Sequence, residues 1–287
     1  MQTQLKSMPK TIESEIAVLQ RKSEMRARRI KRKTRDLSLQ ALVFIVVTGA
    51  WQLLVQQKII DPFFFSSPIA IIKNIYTWIT IGTSQGPLYY QFLITFEETI
   101  VSFILGGIAG ILFGYALGMS DILSVIFGPY IKMFNALPRV VLVPIFILWF
   151  GLGFASKVAS GFVLTFFIVF FNAFQGVREV DKNLINNARL LGANKRQLAR
   201  HVILPSALTW ILSSLHTSFG FALIGVVVGE FLGSTQGLGY LIAQAQGAFD
   251  TTGVFSGMVL LSATALLADW FVTKLEKRFI GWRNIRQ

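Results

Sequence analysis

The chain has 287 residues, 53% of them hydrophobic, and its 27 lysines and arginines against 14 acidic residues give a formal charge of +13. Those proportions are not those of an ordinary soluble domain and describe an integral membrane protein. The absence of cysteine excludes a disulfide framework, thiolate catalysis and a Cys-ligated metal.

A spanning helix needs about 20 mostly apolar residues, because the hydrocarbon core is about 30 Å thick and each residue rises about 1.5 Å. Residues 1–36 come first as a basic arm, with eleven lysines and arginines between Lys6 and Arg35. Glu13, Glu15 and Glu24 among them argue against an organelle transit peptide, and the length of the basic region argues against a cleaved signal. With Ile12, Ile16 and Leu19 on one side, the arm reads as a solvated or lipid-facing anchor. Uncharged intervals then run from Leu37 to Gln57, Thr99 to Ser120, Val140 to Ser156, Val158 to Val177, Val202 to Gly229 and Thr251 to Ala268. The third is short, so its helix is expected to begin near Lys132 or Met133, and the reading is six spans.

The connecting segments fix the topology. Residues 37–91 hold the first span and an outer interfacial segment with Pro62 and Pro68 at its turn and Tyr76 and Trp78 behind it. Residues 92–276 form the core, with a basic loop at 178–205, and residues 277–287 are the tail. Placing the N-terminus inside puts the arm, the loop after the fourth span and the tail on the cytoplasmic side. That side then carries 22 of the 27 basic residues, and Lys58, Lys73 and Lys157 fall outside. Charge segregated in this way sets topology, and nucleic acid is not an expected partner. Residues 231–249, rich in glycine and glutamine, read as a partly inserted outer loop, since a full crossing would move the basic tail outside. Gly106, Gly110, Gly114 and Gly118 recur every fourth residue in the second span, a stripe expected to pack within the molecule in preference to a subunit interface.

Few residues suggest chemistry. The phosphate-binding pattern GxxxxGK[ST] is absent, so any ATP hydrolysis belongs to another chain. His201 and His216 are the only histidines and have no metal-ligand spacing, so no metal site is expected. Glu97 and Glu98, at the outer start of the second span, point about 100° apart and make poor joint ligands. Candidates for a translocation path are Arg139 beside Pro138, His216 with Ser213 and Thr217, and Glu230 at the outer end of the fifth span. Each has a plainer reading: Arg139 as an inner-leaflet anchor, His216 as a hydrogen-bonded packing residue, the hydroxyls as donors to helix carbonyls, and Glu230 as a structural acceptor.

The basic loop carries the strongest pattern. Asp181 is placed to cap a helix through Leu191, with Leu184, Ala188 and Leu191 on one face. Gly192 breaks it, and a second short helix from about Lys195 to His201 leads to Leu204-Pro205, where proline's missing donor costs little. Two short helices bent at a glycine make a knob suited to docking a soluble partner.

The loop resembles that of ABC importer permeases, which runs Glu-Ala-Ala, three residues, Gly, nine residues, Ile, one residue, Leu-Pro. Here Ala188, Gly192, Val202, Leu204 and Pro205 keep the spacing, while Asn186 and Asn187 replace the first two motif residues. The segments ALPRVVLVPIFILWFGLGFASKV, GVREVDKNLINNARLLGA and VVGEFLGSTQGLGYLI resemble the nitrate, sulfonate, taurine and bicarbonate branch of that family, in which many relatives carry a basic residue where this chain has Glu98. The resemblance implies an all-α, type I importer permease fold in the bacterial inner membrane, with both termini cytoplasmic and a coupling helix between spans four and five. It further implies ATPase coupling through Asn186, Asn187, Ala188, Arg189, Leu191, Gly192, Ala193, Leu204 and Pro205. The implied partners are a second permease copy, ATPase subunits that bind ATP and Mg in this chain's stead, an extracytoplasmic solute-binding protein and membrane lipid. The expected function is alternating-access import of a small anion such as nitrate, bicarbonate, taurine or an alkanesulfonate. The rival is an ion-gradient-driven secondary transporter or channel, which would need charges inside the membrane.

Overall fold

The computed structural model describes residues 10–280, with side chains described at Met25, Arg29, 31–270 and 272–274. The side chains of Ile12, Ile16 and Leu19, and of Lys277, Arg278, Arg283 and Arg286 in the tail, lie outside the described ones. The chain divides after Ile69 into two units. In the first, α1 (Lys10–Gln56) runs from the basic arm into the first apolar interval without a break, and α2 (Pro62–Phe65) is a short turn. Asp61 caps α2 by accepting the Phe63 N–H at 2.9 Å.

The second unit begins within α3 (Pro68–Thr80) and continues through α4 (Leu88–Met119), α5 (Asp121–Ala136), a 3-10 turn (Arg139–Leu142), α6 (Val143–Phe150) and α7 (Phe154–Arg178). The remaining elements are α8 (Lys182–Leu190), α9 (Lys195–Leu198), a π-turn (Ala199–Ile203), α10 (Leu204–Leu232), α11 (Leu238–Gly247) and α12 (Thr251–Ile280). Among the described residues five helical stretches are long and apolar enough to cross a membrane: Lys31–Gln56, Leu88–Met119, Phe154–Arg178, Lys195–Leu232 and Thr251–Lys274. The bent pair Asp121–Ala136 and Arg139–Phe150 would make a sixth.

Three expected boundaries change for physical reasons. The third span is not one helix from Lys132 or Met133 but two segments meeting at 89°. Pro138 lacks an N–H and forces Leu137 into an extended conformation (φ −72°, ψ 130°), which ends α5. The second span begins at Leu88 instead of Thr99, and α7 begins at Phe154. Both helices therefore contain charged residues that the uncharged-interval rule had put outside them.

α7 is the centre of the second unit, running beside α4 on one face and α10 on the other. In lipid, helices associate by close packing because apolar burial supplies little drive. The glycine stripe provides that packing within the chain. A Cβ at Gly110 would lie 2.8 Å from the Val169 Cβ and 2.9 Å from the Phe166 carbonyl, and one at Gly118 would lie 2.7 Å from the Val177 Cβ. On the other face, a Cβ at Gly225 would stand 2.6 Å from the Ser160 carbonyl. Ser102 donates from α4 to the Val158 carbonyl of α7 at 3.1 Å. The phenylalanines of α7 continue the seam as a stacked column, Phe162, Phe166, Phe170 and Phe174, with successive centroids 5.6–6.3 Å apart.

Candidate functional site

The first candidate site is an elbow between α7 and α10. Asp181 begins it by accepting the Asn183 N–H at 2.8 Å, which caps α8. Gly192 ends it in a left-handed conformation (φ 86°), so that Gly192 N–H reaches the Arg189 carbonyl at 2.9 Å and Ala193 N–H the Ala188 carbonyl at 3.0 Å. Asn194 and Gln197 then form a reciprocal capping box that starts α9. The second helix is not a separate piece ending at His201. It passes through the π-turn directly into α10, so the elbow is one short helix set against the first turns of a long one.

The elbow has an anchored side and a bare side. Ile185, Ala188 and Val202 pack against a core of Ala173, Val177, Val180, Leu198, Ile203 and Ala207, and the Tyr115 hydroxyl ties α4 to it by donating to the Ala199 carbonyl at 3.2 Å. Leu184 and Leu191 do not join Ala188 on that side. Leu190 and Leu191 are 86% and 88% exposed, with Asn186, Asn187, Arg189 and Gly192 exposed beside them. Ala193 and Leu204 are half-buried and Pro205 is exposed. Two bare leucines held on a capped, anchored helix are a hydrophobic surface whose position is fixed by the bundle.

The five residues considered for a translocation path are not gathered in one place. Arg139 is half-buried over the rings of Phe167 (5.2 Å) and Phe171 (5.7 Å) and donates to the Asn135 side chain at 2.9 Å. His216 Nε2 lies 3.3 Å from Asp269 Oδ1 of α12, and Ser213 and Thr217 are exposed on α10. A cavity of about 680 Å³ opens between α5 and α7, with Lys132, Asn135, Asn172, Gln175 and Arg178 among its lining. Arg178 also pairs with Asp121.

Glu230 belongs to a second site, at the opposite end of α10 from the elbow. It is fully buried and accepts the Thr95 hydroxyl at 2.6 Å and the Gly239 N–H at 2.7 Å. Thr95 in turn accepts the Leu238 N–H at 2.9 Å, and Gln91 accepts the Gly237 N–H at 2.7 Å. Side chains of α4 and α10 thus satisfy three consecutive amides at the start of α11, and the Glu230 carboxylate sits where the α11 dipole favours negative charge. At ten residues, or about 15 Å, α11 is too short to cross a bilayer.

Two more ionisable groups of this cluster were not expected. Glu98 is 4% exposed and Lys157 is 2% exposed, while the neighbouring Glu97 faces outward. Lys157, which the uncharged intervals leave between two spans on the outer side, lies in the first turn of α7 and donates to the carbonyls of Leu152 and, at 3.0 Å, Gly153. The sequence clue is GLGFASK, where a glycine turn ending at Gly153 lets a helix start on Phe154, before its lysine.

Gly237 shows how tightly this end is built. Its φ of 104° disfavours any side chain, and an added Cβ would run into the Glu230 carboxylate. Gly237→Ala is expected to cost about 2–4 kcal/mol, from backbone strain together with overpacking. Gly247→Ala, where a Cβ meets nothing within 4 Å, is expected to stay within about 0.5 kcal/mol of the parent. Thermal melts of the two purified variants in detergent, compared with the parent, check the contrast.

Comparison with known proteins agrees with the geometry. Residues 102–281 match the family of binding-protein-dependent transport system inner membrane components. The chain is 32% identical over 239 residues to the aliphatic sulfonates transport permease SsuC of Bacillus subtilis, covering 83% of this chain and 85% of that one. It is 26% identical over 268 residues to the taurine transport permease TauC of Escherichia coli, covering 91% and 96%. Among solved structures, a chain of the inward-facing MetNI methionine ABC transporter superposes with a TM-score of 0.57 at 19% identity, over 67% of this chain and 95% of that one, a likeness of fold. An all-helical bundle built on close-packed glycines, with an anchored elbow between its two central helices, is thus a multi-pass permease subunit of an ABC importer, and the chain belongs to the binding-protein-dependent transport system inner membrane component family.

Proposed function

We propose that two copies of this chain pair with two ATPase subunits and an extracytoplasmic binding protein to import a small organic anion of the sulfonate class by alternating access. The elbow carries the reading: Leu190 and Leu191 are bare on a helix whose opposite side is anchored in the core, as a lever seated in an ATPase groove requires. The elbow end is cytoplasmic because that placement puts 22 of the 27 basic residues inside. ATP, with Mg, binds the partner subunits. Closure of the ATPase dimer draws the two elbows together, and the rigid junction of α9 with α10 carries that movement into the bundle. The similarity to sulfonate and taurine permeases supports the substrate class. The cationic and amide groups of the cavity between α5 and α7 suit an anionic solute.

Native mass spectrometry of the chain co-expressed with its ATPase tests the assembly. Two copies of each subunit are expected. The double variant L190D/L191D is expected to remain folded, since both leucines are solvent-facing, and to lose the ATPase with at least about a tenfold weakening, as for a centrally placed hot spot. Gly192→Trp and Asn187→Arg are expected to uncouple ATP-dependent uptake without unfolding the spans. ATPase retention by all three variants would overturn the assignment. Uptake of taurine or an alkanesulfonate that persists without the ATPase and collapses with the ion gradient would favour the secondary transporter.

A further inference from the structure

Among the described residues, Glu98 is the buried carboxyl whose hydrogen bonding the fold leaves incomplete. Its Oε2 is buried and has no hydrogen-bond partner. Glu98 stands one helical turn from Thr95, which donates to the Glu230 carboxylate at 2.6 Å, and Lys157 backs the same cluster, its Cα 3.3 Å from where a Cβ on Gly229, the residue before Glu230, would stand. The Lys157 ammonium is directed at the carbonyls of Leu152 and Gly153 instead of either carboxylate. The remaining surroundings add no positive charge. Glu97 on α4 is acidic and turned outward, α6 has no ionisable side chain, and the start of α11 presents the amides of residues 237–239 to the side chains of Gln91, Thr95 and Glu230.

Two ionised carboxylates and one ammonium would leave a buried net negative charge, which costs several kcal/mol in a low-dielectric interior. Adjacent carboxyl groups escape that cost by sharing a single proton. The two are not equivalent hosts. Glu230 has two good donors and a helix N-terminus, which favour its ionised form. Glu98 lacks a donor, and a proton on it, given to the Glu230 carboxylate, would supply the missing bond.

We propose that Glu98 and Glu230 form a proton-binding site that holds one proton, on Glu98, so that with Lys157 the cluster is uncharged and locks α11 against α4 and α10. The ligand is a proton, and the site does not depend on which solute the permease carries.

Infrared spectroscopy of the purified full-length chain in lipid tests this. The spectrum near neutral pH is expected to contain the carbonyl stretch of one protonated carboxyl, shifted in D2O, and E98Q is expected to abolish it. Thermal stability provides a second reading. Because the folded chain keeps a proton that the unfolded chain releases above about pH 4.3, stability falls as pH rises toward the value at which the pair gives the proton up. E98Q is expected to flatten that slope. If E98Q does not accumulate, the band is followed in the unsubstituted chain as pH is raised, where it is expected to outlast those of the exposed carboxyls. No protonated carboxyl in the unsubstituted chain near neutral pH, or a band unaltered in E98Q, would overturn the proposal. So would stabilisation of the unsubstituted chain, but not E98Q, by sodium over choline at fixed ionic strength, which would make the ligand a metal cation.

Discussion

Gly114→Leu is expected to leave almost no folded, monodisperse protein in detergent. The α-carbon of Gly114 faces α7 so closely that even a Cβ would stand 2.5 Å from the Phe170 carbonyl and 2.8 Å from the Ala173 Cβ. Both neighbours belong to a helix backbone or its root, so neither can rotate away. Accommodation requires α4 and α7 to separate, which removes contact along the seam that Gly106, Gly110 and Gly118 share. Overpacking commonly costs about 1–3 kcal/mol and more where the neighbours cannot give. A loss of about 4 kcal/mol or more is expected here, a large fraction of the roughly 5–15 kcal/mol that holds an ordinary domain together. Gly128→Leu, on α5 where a Cβ meets nothing within 4 Å, is expected to be recovered like the parent. Size-exclusion profiles and thermal melts of the two variants decide the matter, and equal recovery would mean that the seam yields more readily than its geometry allows.

The stripe was legible because a four-residue period of glycine has one physical use in a long apolar helix. The elbow was legible for a related reason: Asp181, Gly192 and Pro205 each have local backbone roles that do not depend on distant residues. Spans bounded by charge were misplaced wherever a charge was buried by partners far along the chain. Glu98 appeared to precede its helix because the lysine that neutralises its cluster is 59 positions later, on another helix. Glu230 could equally have belonged to a gate or a structural bond, since its partners Thr95 and Gly239 come from different elements. The inward face of α8 was also misread. Spacing alone groups Leu184, Ala188 and Leu191, but the core lies under Ile185 and Ala188, and α8 inverts the usual rule by exposing its largest apolar residues.

Lys157→Met is expected to destabilise the chain by about 3–5 kcal/mol, because it removes the only buried cation of the cluster among the described residues and leaves an ionised carboxylate without compensation. Methionine preserves the length of the apolar stem, so the loss of packing is small and the loss of charge dominates. The carbonyls of Leu152 and Gly153 also lose their donor, which loosens the turn between α6 and α7. Second-site substitutions separate these contributions. If Glu230 is the ionised member, adding E230Q to Lys157→Met removes the stranded charge and is expected to recover about half of the lost stability, the amide oxygen still accepting the Gly239 N–H. Adding E98Q to Lys157→Met replaces a group that is already neutral and is expected to recover little. Thermal melts of the single variant and both doubles, at one pH near neutrality, measure the difference. The reverse order of rescue would place the negative charge on Glu98. A single variant that melts with the parent would mean that water reaches the cluster, and the lock on α11 would then rest on the hydrogen bonds of Gln91, Thr95 and Glu230 without help from charge.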